Sequence, residues 1–155
     1  MKLRFVWVGK TRRAPVRELA DEYLGRIEKF ARVEVLELRD RDDSGGDAAR
    51  IIEKEGEEIL SRTEADPFVV ALDERGREFT SAGLAEFIEK RRLAATKQMT
   101  FVLGGHQGLA DAVRKRADLV LALSQMTLPH ELARVVLLEQ VYRAFTIIHG
   151  LPYQK

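Results

Sequence analysis

Apolar and polar positions along the chain follow two rhythms. Five short runs rich in β-branched or aromatic residues predict strands: Leu3 to Val8, Val33 to Leu38, Phe68 to Leu72, Thr100 to Leu103 and Leu119 to Leu123. Between them apolar residues recur every three or four positions. Val16 to Phe30 carries Leu19, Tyr23, Leu24 and Ile27; Ala48 to Leu60 carries Ile51, Ile52 and Ile59; Thr80 to Leu93 carries Leu84, Phe87 and Ile88; Asp111 to Ala117 reads as a short helix. A Thr or Ser opening the third helix is suited to cap it. The second strand alternates around Glu34 and Glu37, which places it nearer a sheet edge. The third and fourth are apolar throughout, as in parallel strands covered on both faces. Regular alternation of strand and helix predicts an α/β fold: one domain over residues 1–155, with a mostly parallel sheet and helices on both faces.

Two segments stand apart. Arg39 to Asp47 holds charges and glycines with no apolar face, and reads as a surface connection or as a grip on substrate RNA. Glu131 to His149 is apolar over well over half its circumference, whereas a helix facing one core needs a stripe of only about 100° or somewhat more. Such a helix is either central to the monomer or also packed against a second copy, and a homodimer is the favoured expectation.

Composition narrows the chemistry. A chain of 155 residues buries about 70% of its unfolded surface and needs no staples. Cysteine is absent, so disulfides, thiolate zinc sites and cysteine nucleophiles are excluded. The three histidines (His106, His130, His149) lie far apart in sequence and form no HExxH-like pair, so no metal is expected. Net charge is +1, which argues against a global positive field gripping nucleic acid but leaves local patches open. The Met1 to Gly9 run is short and Lys10, Arg12 and Arg13 follow it, on the wrong side for a signal peptide, and no run approaches the roughly 18 apolar residues of a membrane span. A soluble cytoplasmic protein without a membrane partner is expected.

Open parallel sheets bind ligands beyond the carboxyl ends of their strands. Here the third strand ends Leu72-Asp73-Glu74-Arg75-Gly76, the fourth runs into Gly104-Gly105-His106-Gln107-Gly108, and the fifth into Ser124 to His130. The glycine spacing is neither GxGxxG nor a phosphate loop ending in GK[ST], so it reads as a tight turn or as a loop wrapping a flat ligand. Met126 and Leu128 are apolar within a connection: either they plug the core or they sandwich a ring such as adenine while free backbone groups read its edge. Thr127 is suited to cap the final helix, Pro129 to its first turn, and Glu131 to the positive end of its dipole. His130 at that helix start has its neutral form favoured.

These segments, followed by Arg134, by Glu139 to Phe145 and by a terminal Pro-Tyr, resemble the RlmH family of 23S ribosomal RNA pseudouridine N3-methyltransferases, of the SPOUT class. The resemblance extends over the whole chain, from the opening Lys-Leu-x-x-x-x-Val-Gly through Lys54-Glu55-Gly56. It implies a cytoplasmic homodimer with a deep trefoil knot in its C-terminal part, a feature that sequence pattern alone never suggests. It implies S-adenosylmethionine as cofactor, held by Leu72, Gly104, Gly105, Leu123, Ser124, Gln125, Met126, Thr127 and Leu128. The implied substrate is a pseudouridine of large-subunit RNA in the assembled ribosome, with Lys10, Arg12, Arg13, Arg75 and Arg77 as candidate phosphate contacts.

Pseudouridine N3 must lose a proton for transfer, so a base or a cation stabilising the imide anion is needed. Candidates near the implied site are His130, Arg134, Tyr142, Arg143 and Tyr153. The expectation is that Arg134 or Arg143 stabilises the anion and His130 acts as base or orienter. Many relatives end Tyr-His-Lys where this chain has Tyr153-Gln154-Lys155, which weakens acid–base work by the tail. His106 is expected only to pack or bond locally.

Overall fold

A computed structural model describes residues 1–41 and 47–153. Five strands, β1 (Lys2–Val8), β2 (Arg32–Leu38), β3 (Val69–Glu78), β4 (Gln98–Leu103) and β5 (Leu119–Ala122), alternate with five helices. The helices are α1 (Ala14–Ile27), α2 (Ala48–Thr63), α3 (Ser81–Leu93), α4 (Asp111–Arg116) and α5 (His130–Ile148). The strands form one parallel sheet in the order β2-β1-β4-β3-β5, so β2 is at an edge, as its alternation predicts.

Side-chain alternation divides the core between the sheet faces. Leu3, Phe5, Trp7, Met99, Phe101 and Leu103 point to the larger core, while Val6, Val8, Val102, Val69 and Ala71 point to the smaller one. Phe5 and Phe101 are register partners and their rings stack at 5.4 Å. The crossovers through α1 and α3 step toward the β2 edge; those through α2 and α4 step toward β5. Right-handed connections put these pairs on opposite faces. α5 lies on the first face between α1 and α3, against both of which it packs, while α2 packs with α4 on the other.

That central position accounts for most of the apolar circumference of α5: Leu137, Leu138, Val141, Ala144 and Phe145 are all buried. Leu132 and Ile147 remain 44% and 46% exposed. Residues 42–46 of the charged connection lie outside the described residues, as do Gln154 and Lys155 of the tail. No helix among the described residues is long and apolar enough to cross a membrane.

β3 departs from the sequence expectation, which ended it at Leu72. Leu72 is opposite Leu121, the chain then bulges out over Asp73 to Gly76, and Arg77 is again opposite Leu121. The charges of Asp-Glu-Arg disguise the continuation, because the outward bulge leaves Glu74 and Arg75 in solvent while Asp73 is covered by its arginine partners. Gly76 is where the chain returns: a Cβ there would lie 2.6 Å from the Val120 carbonyl oxygen.

Candidate active site

β3 and β4 are neighbours whose crossovers leave in opposite directions, and that arrangement opens a crevice at their carboxyl ends. A cleft of about 750 Å³ lies there. The three segments singled out in the sequence converge on it: Leu72 to Arg75 at the bulge of β3, Gly104 to Leu109 after β4, and Leu123, Ser124, Met126, Thr127 and Leu128 after β5. His130 and Ala133 of α5 complete one side, Ala49 and Ile52 of α2 the other.

The glycine segment is both a turn and a wall. Gly108 has φ +97°, and its N–H donates to the Gly105 carbonyl at 3.1 Å. Gly104 is packed against that turn, since a Cβ on it would lie 2.4 Å from the Gly108 oxygen. Only glycine fits such an approach.

The segment after β5 is held from outside. The Thr127 hydroxyl donates to the Glu74 carboxylate, and the Gln125 amide to Glu78 at 3.2 Å, so the bulge and the end of β3 brace it. Thr127 is therefore no cap for α5; that helix starts at His130 after Pro129, with no side-chain cap bond. Gln125, turned toward Glu78, does not line the cleft. Among the described residues no backbone group bonds the N–H or C=O groups of residues 125–128; the one fixed N–H is that of Met126, which donates to the Ser124 hydroxyl at 3.0 Å.

His130 faces the cleft with its ring 6.3 Å from that of His106, so His106 belongs to the cleft wall rather than to local packing alone. Burial, then the nearby Arg134 cation, lower the His130 pKa below its ordinary 6.5, outweighing the opposite pull of Glu131. The imidazole is thus neutral at neutral pH.

Arg134 does not reach the cleft. It is 0% exposed; its guanidinium donates to Thr11 Oγ1 at 2.8 Å and to the Val8 carbonyl, and lies 5.1 Å from the centre of the Trp7 ring. Glu131 reaches the same segment, accepting from the backbone N–H groups of Arg12 (2.8 Å) and Arg13 (3.3 Å). Burial pushes the Glu131 pKa up, but those donors and Arg134 outweigh it and leave it lowered. Its carboxylate thus serves the start of α1 as well as its own helix. Together Arg134 and Glu131 clamp residues 8–13, with the basic Lys10, Arg12 and Arg13, beside His130. Sequence reasoning missed this clamp because nothing in the spacing of one arginine and one glutamate reveals burial.

Arg143 lies three turns further along α5, paired with Glu139 and stacked 4.6 Å from the Tyr153 ring centre. Tyr153 in turn meets Tyr142 edge-on at 4.9 Å. None of these three side chains lines the cleft of its own chain. Arg77 lies over the Phe79 ring at 4.5 Å, away from the cleft. No cluster of three metal-ligating side chains occurs among the described residues.

The family model described as predicted SPOUT methyltransferase matches residues 1–154. The chain is 46% identical over 154 residues to the ribosomal RNA large subunit methyltransferase H of Geobacter sulfurreducens, covering 99% of each. It is 44% identical over 153 residues to the protein of the same name from Trichlorobacter lovleyi, again covering 99% of each. Among solved structures, a probable methyltransferase from Bordetella pertussis matches with TM-score 0.55 at 13% identity, over 92% of this chain and 95% of that one. The tRNA (m1G37) methyltransferase of Aquifex aeolicus matches with TM-score 0.54 at 18% identity, over 98% of this chain and 71% of that one. At such identities the structural likeness speaks for the fold alone. Motifs, fold and full-length relatives agree: the chain belongs to the SPOUT methyltransferase family and, within it, to the group of ribosomal RNA large subunit methyltransferase H proteins.

Proposed function

We propose that this protein is an S-adenosylmethionine-dependent methyltransferase acting on N3 of a pseudouridine in 23S ribosomal RNA of the assembled ribosome. The observation that carries the reading is the convergence of the three segments on one cleft of about 750 Å³, within the range of small-molecule sites. Apolar Leu72, Leu103, Leu121, Leu123 and Leu128 suit the faces of an adenine, and the backbone groups of residues 125–128 other than the Met126 N–H suit its edge. Gly104 and Gly105 keep the adjoining wall free of side chains. When bound, the cofactor supplies an electrophilic methyl group on a sulfonium.

The protein's part is alignment and proton management. The neutral His130 imidazole accepts the N3 proton, so that the ring nitrogen's electron pair is free to take the methyl group. Arg134 acts as a positioning residue rather than a contact: it holds residues 8–13 so that Lys10, Arg12 and Arg13 meet RNA phosphates at the cleft mouth. Arg143, remote from its own chain's cleft, stabilises the imide anion in a second copy. The exposed Leu132 and Ile147 support that homodimer, because a second copy packed along α5 covers both. Family membership supports the trefoil knot of the C-terminal half and a cytoplasmic location beside ribosomes.

The test is mass mapping of ribosomal RNA from cells with and without the gene. The expected result is a methyl group lost from one pseudouridine of 23S RNA in the deleted strain. An unchanged map overturns the reading.

A further inference from the structure

One wall of the cleft carries charge that the mechanism above does not use. Asp73, Arg75, Asp111 and Arg114 are linked in a chain of alternating sign. Arg75 Nε and a terminal nitrogen donate to the two oxygens of Asp73 at 3.0 and 3.2 Å. Arg114 donates to the same Asp73 carboxylate at 2.8 Å and to Asp111. The two inner members are nearly covered, whereas the Arg75 side chain is 67% and that of Asp111 79% exposed. The chain therefore presents one guanidinium and one carboxylate at the rim, each oriented by a covered partner of opposite sign. The two ends lie close enough for each to shift the other's titration.

We propose that this chain is the recognition element for the zwitterionic amino-acid end of the methyl donor, with Arg75 on its carboxylate and Asp111 on its ammonium group. The assignment rests on the methyl-donor reading of the cleft and adds its polarity. The apolar wall of Leu123 and Leu128 takes the adenine, and the charged wall takes the opposite end. A bidentate tether to Asp73 fixes the plane of the Arg75 guanidinium, which suits it to the planar carboxylate of a ligand. Net neutrality of the four groups matches a ligand end that is itself neutral overall. A phosphate-binding patch would instead leave an excess of positive charge, so Arg75 is removed from the candidate RNA contacts.

Two uncharged-sulfur ligands isolate the effect: S-adenosylhomocysteine, which keeps the amino-acid end, and 5′-methylthioadenosine, which lacks it. By calorimetry on the whole protein, the native chain is expected to bind the first at least about tenfold more tightly, equivalent to about 1.4 kcal/mol. Arg75→Gln and Asp111→Asn are each expected to remove most of that preference while leaving 5′-methylthioadenosine affinity unchanged, which also serves as the folding control. Equal affinities in the native chain, a preference that survives both substitutions, or a parallel loss for both ligands overturns the inference alone. Failure of the native chain to bind either ligand overturns the methyl-donor reading beneath it, and the inference with it.

Discussion

Replacing Gly104 by alanine tests the architecture of the cleft with the fewest atoms. The added Cβ would lie 2.4 Å from the Gly108 carbonyl oxygen, 2.7 Å from its carbon and 3.1 Å from the Leu109 nitrogen. All three are backbone atoms, so no side chain can swing aside. Ordinary carbon contacts begin near about 3.5 Å, so the turn has to open by roughly 1 Å. Such overpacking costs about 1–3 kcal/mol. Opening also strains or breaks the Gly108-to-Gly105 hydrogen bond of 3.1 Å, which adds about 1 kcal/mol. The expected destabilisation is therefore about 2–4 kcal/mol, read as a lower urea midpoint at unchanged m. S-adenosylhomocysteine affinity should fall by more than about tenfold, because the displaced turn is the cleft wall. Gly25→Ala is the control: nothing lies within 4 Å of its added Cβ, and alanine in a helix is favoured by up to about 1 kcal/mol. A Gly104→Ala protein as stable as the native one, with native affinity, refutes the claim that this turn is closed and forms the site.

Further outcomes follow from the same geometry. Arg134→Met should destabilise by about 2–4 kcal/mol, since the Val8 carbonyl and Thr11 hydroxyl lose a charged donor in a buried setting. Amide exchange should then rise at residues 9–13, and unchanged exchange would remove Arg134 as the clamp. Because the folded pKa of His130 lies below 6.5, the unfolded chain binds more protons between those two values. Stability from this group is present above pH 6.5 and is lost as pH falls through the folded pKa. Urea titrations should show that acid loss diminished in His130→Gln, and identical pH profiles would contradict it. The proposed homodimer predicts a particle of two chains on sedimentation that Leu132→Asp converts into one, whereas an unaltered mass would exclude that surface from the contact.

Much of the fold is legible because periodicity reports burial directly. Leu3 to Val8 and Thr80 to Leu93 differ from the observed β1 and α3 by a residue at one end, and Thr80 caps α3 as expected, accepting from the Gly83 N–H at 3.0 Å. The cleft is legible for a related reason: glycines and misplaced apolar residues at strand ends have little to do in an ordinary turn. What stays hidden depends on pairs distant in sequence. The return of β3 at Arg77 is visible only once Leu121 is beside it. The burial of Arg134 follows from Trp7 and Thr11, more than a hundred residues earlier. Arg143 has the residue type of an anion stabiliser, but α5 carries it three turns from the cleft, which one-dimensional proximity to His130 conceals.

The proposed methyl transfer to ribosomal RNA runs through this cleft. The most direct measurement supplies S-adenosylmethionine labelled in its methyl group to the purified protein and to ribosomes from cells lacking the gene. The expected result is label in 23S RNA, recovered after digestion as N3-methylpseudouridine. Label confined to another RNA, or none incorporated by a protein that binds the cofactor, would contradict it.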